Sequence, residues 1–238
     1  MSARSFALDG HGLPRRIVAL PVRTPLVRSG DDLAALVAAC VRGIASGDDV
    51  VCISETAVAI AQGRSIAAEA IRPTMLARLL ADRAGPYATV NQPESMQLVM
   101  ESAGTLKVLA AAAAGAAGRL IGRRGDFYRI LGPAIAEIDG YTGTMPPYER
   151  HIVLGPLDPG AEAARIGAAC GANVAVVDAN DLGKVEILGA TPRVRLEAVR
   201  ACLRGNPHGN SDQQTPIVVL KYRPAQGSPR SSPLVTPA

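Results

Sequence analysis

Apolar residues along this chain come first in a short continuous run and then at every third or fourth position, and each such change of pattern marks a new element. Ile17 to Val22 is an apolar, β-rich run. From Asp31 to Ser46, Leu33, Val37, Val41 and Ile44 share one helical face, with Ser29 or Asp31 placed to cap its start. A Gly47-Asp48-Asp49 turn leads to a second strand, Val50 to Ser54, so the chain opens in the βαβ manner. Ser65 to Gly122 then reads as helix in three pieces, broken by Pro73, Gly85-Pro86, Pro93 and Gly104.

Strands are predicted next at Asp126 to Leu131 and Ala134 to Ile138, joined in a hairpin-like way by Gly132-Pro133. From Ile152 the order is strand, helix (Ala161 to Cys170), strand (Val174 to Val177), strand (Val185 to Leu188), helix (Val194 to Leu203) and strand (Ile217 to Tyr222). That is more strands than one parallel sheet uses, so the class is α+β (mixed α/β), with two sheet-centred lobes and flanking helices. Residues 16–222 form this domain, and the aperiodic stretches 1–15 and 223–238 read as tails.

Composition sharpens the picture at three points. Hydrophobic residues are 48% of the chain against 19% charged, the balance of a packed protein. Aromatics are only 3%, so Ala, Val, Leu and Ile must fill the core by close approach of small side chains. The charge-free run Val108 to Gly118 is about half of what a membrane span requires, and reads instead as a buried helix. No secretory signal is read in Met1 to Gly12. Cys40, Cys52, Cys170 and Cys202 are widely spaced within apolar runs, as small buried hydrophobes of a reducing, cytoplasmic setting. The net charge of +4 is spread thinly rather than gathered with aromatics, which argues against a nucleic-acid partner.

Candidate chemistry lies in three polar loops, each beside an apolar strand, where α/β sheets place ligands. They are Asp139-Gly140-Tyr141-Thr142-Gly143, Asp178 to Lys184 with Asp178, Asn180 and Asp181, and Gly205 to Gln214 with His208. Oxygen ligands of this kind suit magnesium or manganese accompanied by a substrate phosphate. Asp, Asn and Gly are also the commonest turn formers, so ordinary turns are the competing reading. Gly115, Gly118 and Gly122 follow no strand and read as packing glycines. Arg119, Arg123 and Arg124 with Asp126 suit either an anion or a solvated helix end. A Ser/His/Asp hydrolase finds no G-x-S-x-G.

Six segments follow in order: Leu20-Pro21-Val22-Arg23, Ala61-Gln62-Gly63-Arg64 after Ser54-Glu55-Thr56, Glu137 to Thr142, Gly155 to Pro159, Ala179 to Lys184, and Gly209 to Asp212 before Pro216. In this order, from about Arg16 to Tyr222, they resemble the gamma-glutamyl ligases of the deazaflavin coenzyme F-420, the coenzyme F-420-0:L-glutamate ligases. The resemblance implies a homodimer that binds GTP, or ATP, with two divalent ions, magnesium or manganese. It implies addition of L-glutamate to a carboxylated cofactor such as coenzyme F-420-0, or to another acceptor such as a pterin. Asp139, Asn180, Asp181 and Asn210 fall where the family holds metal, and the spacing adds Asp178. Leu20, Pro21, Val22, Arg23, Glu55, Thr56 and Thr142 fall where it holds the nucleotide. Ile60 stands where the family has a nucleotide-binding lysine, which leaves a non-catalytic binding homologue as the alternative.

Overall fold

The computed structural model describes residues 4–8, 14–85, 89–123, 125–132, 146–209 and 213–224, and every structural statement below is made of these. Strands β1 (Arg4–Leu8), β2 (Pro14–Val22), β3 (Val50–Ser54), β6 (Asn173–Ala179), β7 (Val185–Ala190) and β8 (Ile217–Pro224) form one mixed sheet in the order β1-β2-β8-β3-β6-β7. β3 and β6 are parallel; the other neighbours are antiparallel. β2 and β3 therefore point the same way with β8 between them, so the strand-helix-strand unit exists but its strands are not adjacent. The fold is α+β.

The three central strands are apolar at nearly every position because both faces are covered. On one face Val51, Ile53, Val174, Val176, Ile217 and Val219 pack against Leu33, Val37 and Val41 of α1 (Leu33–Val41), Val58 of α2 (Glu55–Ala61) and Ile166. On the other, Val50, Cys52, Ala175, Val177, Val218 and Leu220 meet Ala198, Val199 and Leu203. The period of two thus sorts the strand residues between the faces. Asp32, rather than Ser29 or Asp31, caps α1, its carboxylate accepting from Ala35 N at 3.3 Å.

A separate core joins α3 (Met75–Asp82), α4 (Pro93–Ala103), α5 (Thr105–Leu120) and α6 (Asp126–Leu131) to Ile152. Ile152 lies on β5 (His151–Val153), which pairs with β4 (Ser65–Ala67) in a two-stranded ribbon. Ala77, Ala81 and Ala111 are buried there, letting the helices approach closely. The remaining helices are α7 (Pro159–Cys170) and α8 (Leu196–Leu203).

Three expectations are corrected. Asp126–Leu131, predicted as a strand, is helix α6: Gly125 and Gly132 take positive φ at its two ends, and Leu131 reaches the helical core. Its Phe, Tyr and Ile favour strands locally, but packing against α5 decides the outcome. Ala134 to Ile138, the other half of that hairpin, lies outside the described residues. The Ala-rich helix α5 is not buried: only Val108, Ala111 and Gly118 are, while Leu106 and Leu120 are 83% and 89% exposed. Arg4–Leu8, read as tail, forms edge strand β1, since ladder hydrogen bonds require no apolar pattern. No single helix is long and apolar enough to cross a membrane.

Gly115 and Gly118 are packing glycines. A Cβ on Gly118 would collide with the Asp126 carboxylate, and one on Gly115 would sit 3.4 Å from Phe127 Cβ. Asp126 is in turn held by Arg123 and Arg129, so these basic side chains close an internal ion pair.

Candidate functional site

The ladder register brings the ends of β2, β3 and β6 and the start of β8, with the described candidate residues beside them, to one end of the large sheet. Val22 lies opposite Ile217, Ile217 opposite Ile53, and Ser54 opposite Val177. The exits of β2, β3 and β6 and the entry to β8 therefore form a common rim. Ser54 N donates to Pro216 O at 2.8 Å and Thr24 N to Gln214 O at 3.1 Å, fixing the segment before β8 across its neighbours. The opposite end carries a structural carboxylate instead: buried Asp49 accepts from Ser46 N and Oγ and from Tyr222 N.

Of the expected nucleotide residues, Leu20 packs on the core and Val22 is buried in it, so both can offer a ligand only their backbone. Pro21 and Arg23 are exposed at the rim. Glu55 is buried directly after β3, and Thr56 Oγ1 donates to its Oε1 at 3.1 Å. Thr142 lies outside the described residues.

Among the metal residues, Asp178 is the penultimate residue of β6 rather than part of the loop. It is half-buried opposite Glu186. Burial pushes its carboxyl above the ordinary carboxylate value, Lys184 pulls it back, and Glu186 adds to the rise. A desolvated carboxylate facing a like charge gains from a cation. Asn180 holds the turn, its Oδ1 accepting from Leu182 N at 3.1 Å and Lys184 N at 3.2 Å. Both lone pairs of that amide oxygen are thereby engaged. Asp181 Oδ1 accepts from Asn206 Nδ2 at 2.9 Å, which ties the second polar loop to the third. Asp139 and Asn210 lie outside the described residues, and among the described ones no three acidic, histidine or cysteine side chains converge. The oxygen-only donors of the rim fit a hard divalent ion in kind.

Asn206 was not singled out in the sequence; its position in an Asn-Pro-His-Gly stretch signals only a turn. It takes a positive φ of 41°, which Asn tolerates better than most residues. His208 is buried and reciprocally paired with Thr215: Nδ1 lies 3.2 Å from Thr215 O, and Thr215 Oγ1 donates to His208 O at 2.5 Å. A carbonyl only accepts, so Nδ1 carries the proton and Nε2 is a bare acceptor with no partner among the described residues.

Burial pushes His208 down to about 4, the Thr215 bond opposing the shift. The unfolded chain takes up a proton near pH 6.5 and the folded one only near pH 4, so stability is lost as pH falls through that window. The loss is about 3 kcal/mol at most. Urea unfolding in metal-free buffer between pH 7 and pH 4 should show this slope in the parent and a flatter one in His208→Gln. Equal slopes would remove His208 as the cause.

The fold is thus α+β, with polar segments of the chain beside one end of its main sheet. Residues 21–181 match the family described as F420-0:Gamma-glutamyl ligase, and the chain belongs to that family. The family is one of ligases that add glutamate. No curated protein matches the chain.

Proposed function

We propose that this protein is a nucleotide-dependent gamma-glutamyl ligase that joins L-glutamate to a carboxylated cofactor of the coenzyme F-420-0 type. The supporting observation is the rim itself, where the exits of β2, β3 and β6 meet the segment before β8 within a chain of this family. The γ-phosphoryl group of GTP passes to an acceptor carboxylate oxygen, giving an acyl phosphate and GDP. The glutamate amine then attacks the acyl carbon, an amide bond forms, phosphate leaves and the nitrogen loses a proton.

In this reading Arg23 and the backbone of Leu20 to Val22 orient the nucleotide beside Glu55 and Thr56, with Thr142 completing its contacts. Asp178 and Asp181, together with Asp139 and Asn210, would hold magnesium or manganese, while Asn180 keeps the loop in shape. When bound, such ions neutralise phosphate oxygens during transfer. Asn206 fixes the direction of the Asp181 carboxylate. The homodimer belongs to the same proposal, supported by exposed Leu106, Leu109 and Leu120 on α5.

A binding protein without turnover is the second reading. It is favoured by Ile60, which is buried in the first core cluster and cannot bring a charge to the nucleotide.

Metal linkage tests the common ground of both readings. A cation that binds only the folded state stabilises it by about 2.7 kcal/mol at a hundred times its Kd. Manganese or magnesium should therefore raise Tm by roughly 5–10 °C, and further with GTP. Asp181→Asn should abolish most of the metal shift while leaving the metal-free Tm nearly unchanged. Equal shifts in both proteins, or none, would leave an ordinary turn at Asp178 to Lys184.

A further inference from the structure

We infer that a groove between the β4–β5 ribbon and the starts of α3 and α4 is a second site, which binds a small molecule carrying two acid groups, phosphate or carboxylate. The groove has a volume of about 380 Å³ and is lined by Arg72, Arg78 and Arg150 with Glu69 and Glu94. That volume suits a small ligand. None of these residues belongs to the sheet rim, so the inference stands independently of the ligase reading.

The charges select the ligand. Arg150 is engaged in an ion pair with Glu69 that forms part of the wall. Arg72 and Arg78 have no carboxylate within ion-pair distance among the described residues, although both line the same cavity. Each guanidinium is a permanent planar cation whose fork matches one carboxylate or phosphate. Two open forks therefore call for two acid groups, since a single one would leave the second cation uncompensated.

The start of α3 acts in the same direction. Pro73 lines the groove just before Thr74, whose hydroxyl accepts from Ala77 N at 3.2 Å to cap α3. Glu94 lies in the first turn of α4. The positive end of α3 thus adds to the attraction, whereas Glu94 offsets that of α4. Glu94 repels an acid group on its own side, so the acidic end of the ligand lies toward Arg72 and Arg78 and its neutral or amino part toward Glu94.

The test is isothermal titration of the full chain, freed of metal by a chelating resin, in low-salt buffer, using pyrophosphate and, separately, glutarate. At least one should bind, with Kd rising about tenfold or more in Arg72→Gln and again in Arg78→Gln, and falling in Glu94→Gln. Arg72 and Arg78 are both exposed, and melting curves of the variants check that each is folded. Binding of pyrophosphate alone assigns a phosphate ligand, of glutarate alone a dicarboxylate, and of both a site that reads charge and spacing. No heat from either titrant, or parental affinity in both arginine variants, overturns the proposal.

Discussion

Asp181→Ala is expected to lower turnover by about 10²- to 10³-fold, the scale of losing a group aimed at transition-state charge. The assay is GDP and amide formation from GTP, L-glutamate and coenzyme F-420-0 with manganese. The fold should persist, because Asp181 is exposed and its described bond, to Asn206 Nδ2, is worth about 1 kcal/mol. Asp181→Asn separates the two roles: it keeps an oxygen able to accept from Asn206 but removes the charge. Loss of turnover in both variants assigns the role to charge. Loss only in the alanine variant assigns it to positioning of the two loops. Parental turnover in both would sink the assignment of this carboxylate. Asp139→Ala, at the other carboxylate proposed to hold metal, should give a loss of similar size.

Gly189→Ala should be the most destabilising single methyl in the sheet. Gly189 lies on β7 opposite Val176, next to an irregularity between Val176 and Val177. A Cβ there would stand 2.5 Å from Gly160 N and from Pro159 O. Both are backbone atoms at the start of α7, so no side chain can rotate away. α7 in turn cannot retreat freely, because Ile166 and Ala163 are wholly buried against the sheet and the Asp158 carboxylate caps its first turn through Ala161 N. Relief requires shifting a helix or bending a strand, at a cost of about 3 kcal/mol. For a chain of this length that is a fall in Tm of roughly 6–12 °C. Gly205→Ala is the control: nothing lies within 4 Å of its added Cβ, and stability should change by about 0.5 kcal/mol or less. Comparable losses in the two variants would mean that α7 and β7 are not in the close contact described.

Much of the fold was legible in the chain because periodicity is a local property. The runs at Val50 to Ser54, Val174 to Val177 and Ile217 to Tyr222 announced buried strands, and Leu33, Val37 and Val41 announced the face of α1, since each follows from backbone repeat and burial alone. Helix α2 has no clear signal in the chain, because Val58 and Ile60 alternate like a continuing strand, directly after β3 with no turn between. α6 resembles a strand as well: its residues favour strands, and only its bounding glycines and its packing on α5 make it helical.

The sequence by itself determined the buried central strands, the apolar face of α1 and, through six ordered segments, the family. It did not determine which strands are neighbours, because hydrogen-bond partners far apart in the chain leave no trace in local period. Only the tertiary structure placed β8 between β2 and β3, and so brought Thr24 to Gln214 and Ser54 to Pro216. Only it tied Asp181 to Asn206, put Asp178 inside a strand facing Glu186, and used the Asn180 oxygen to close a turn. A residue type states what a side chain can do; its neighbours, set by long-range packing, decide which of those capacities remains free.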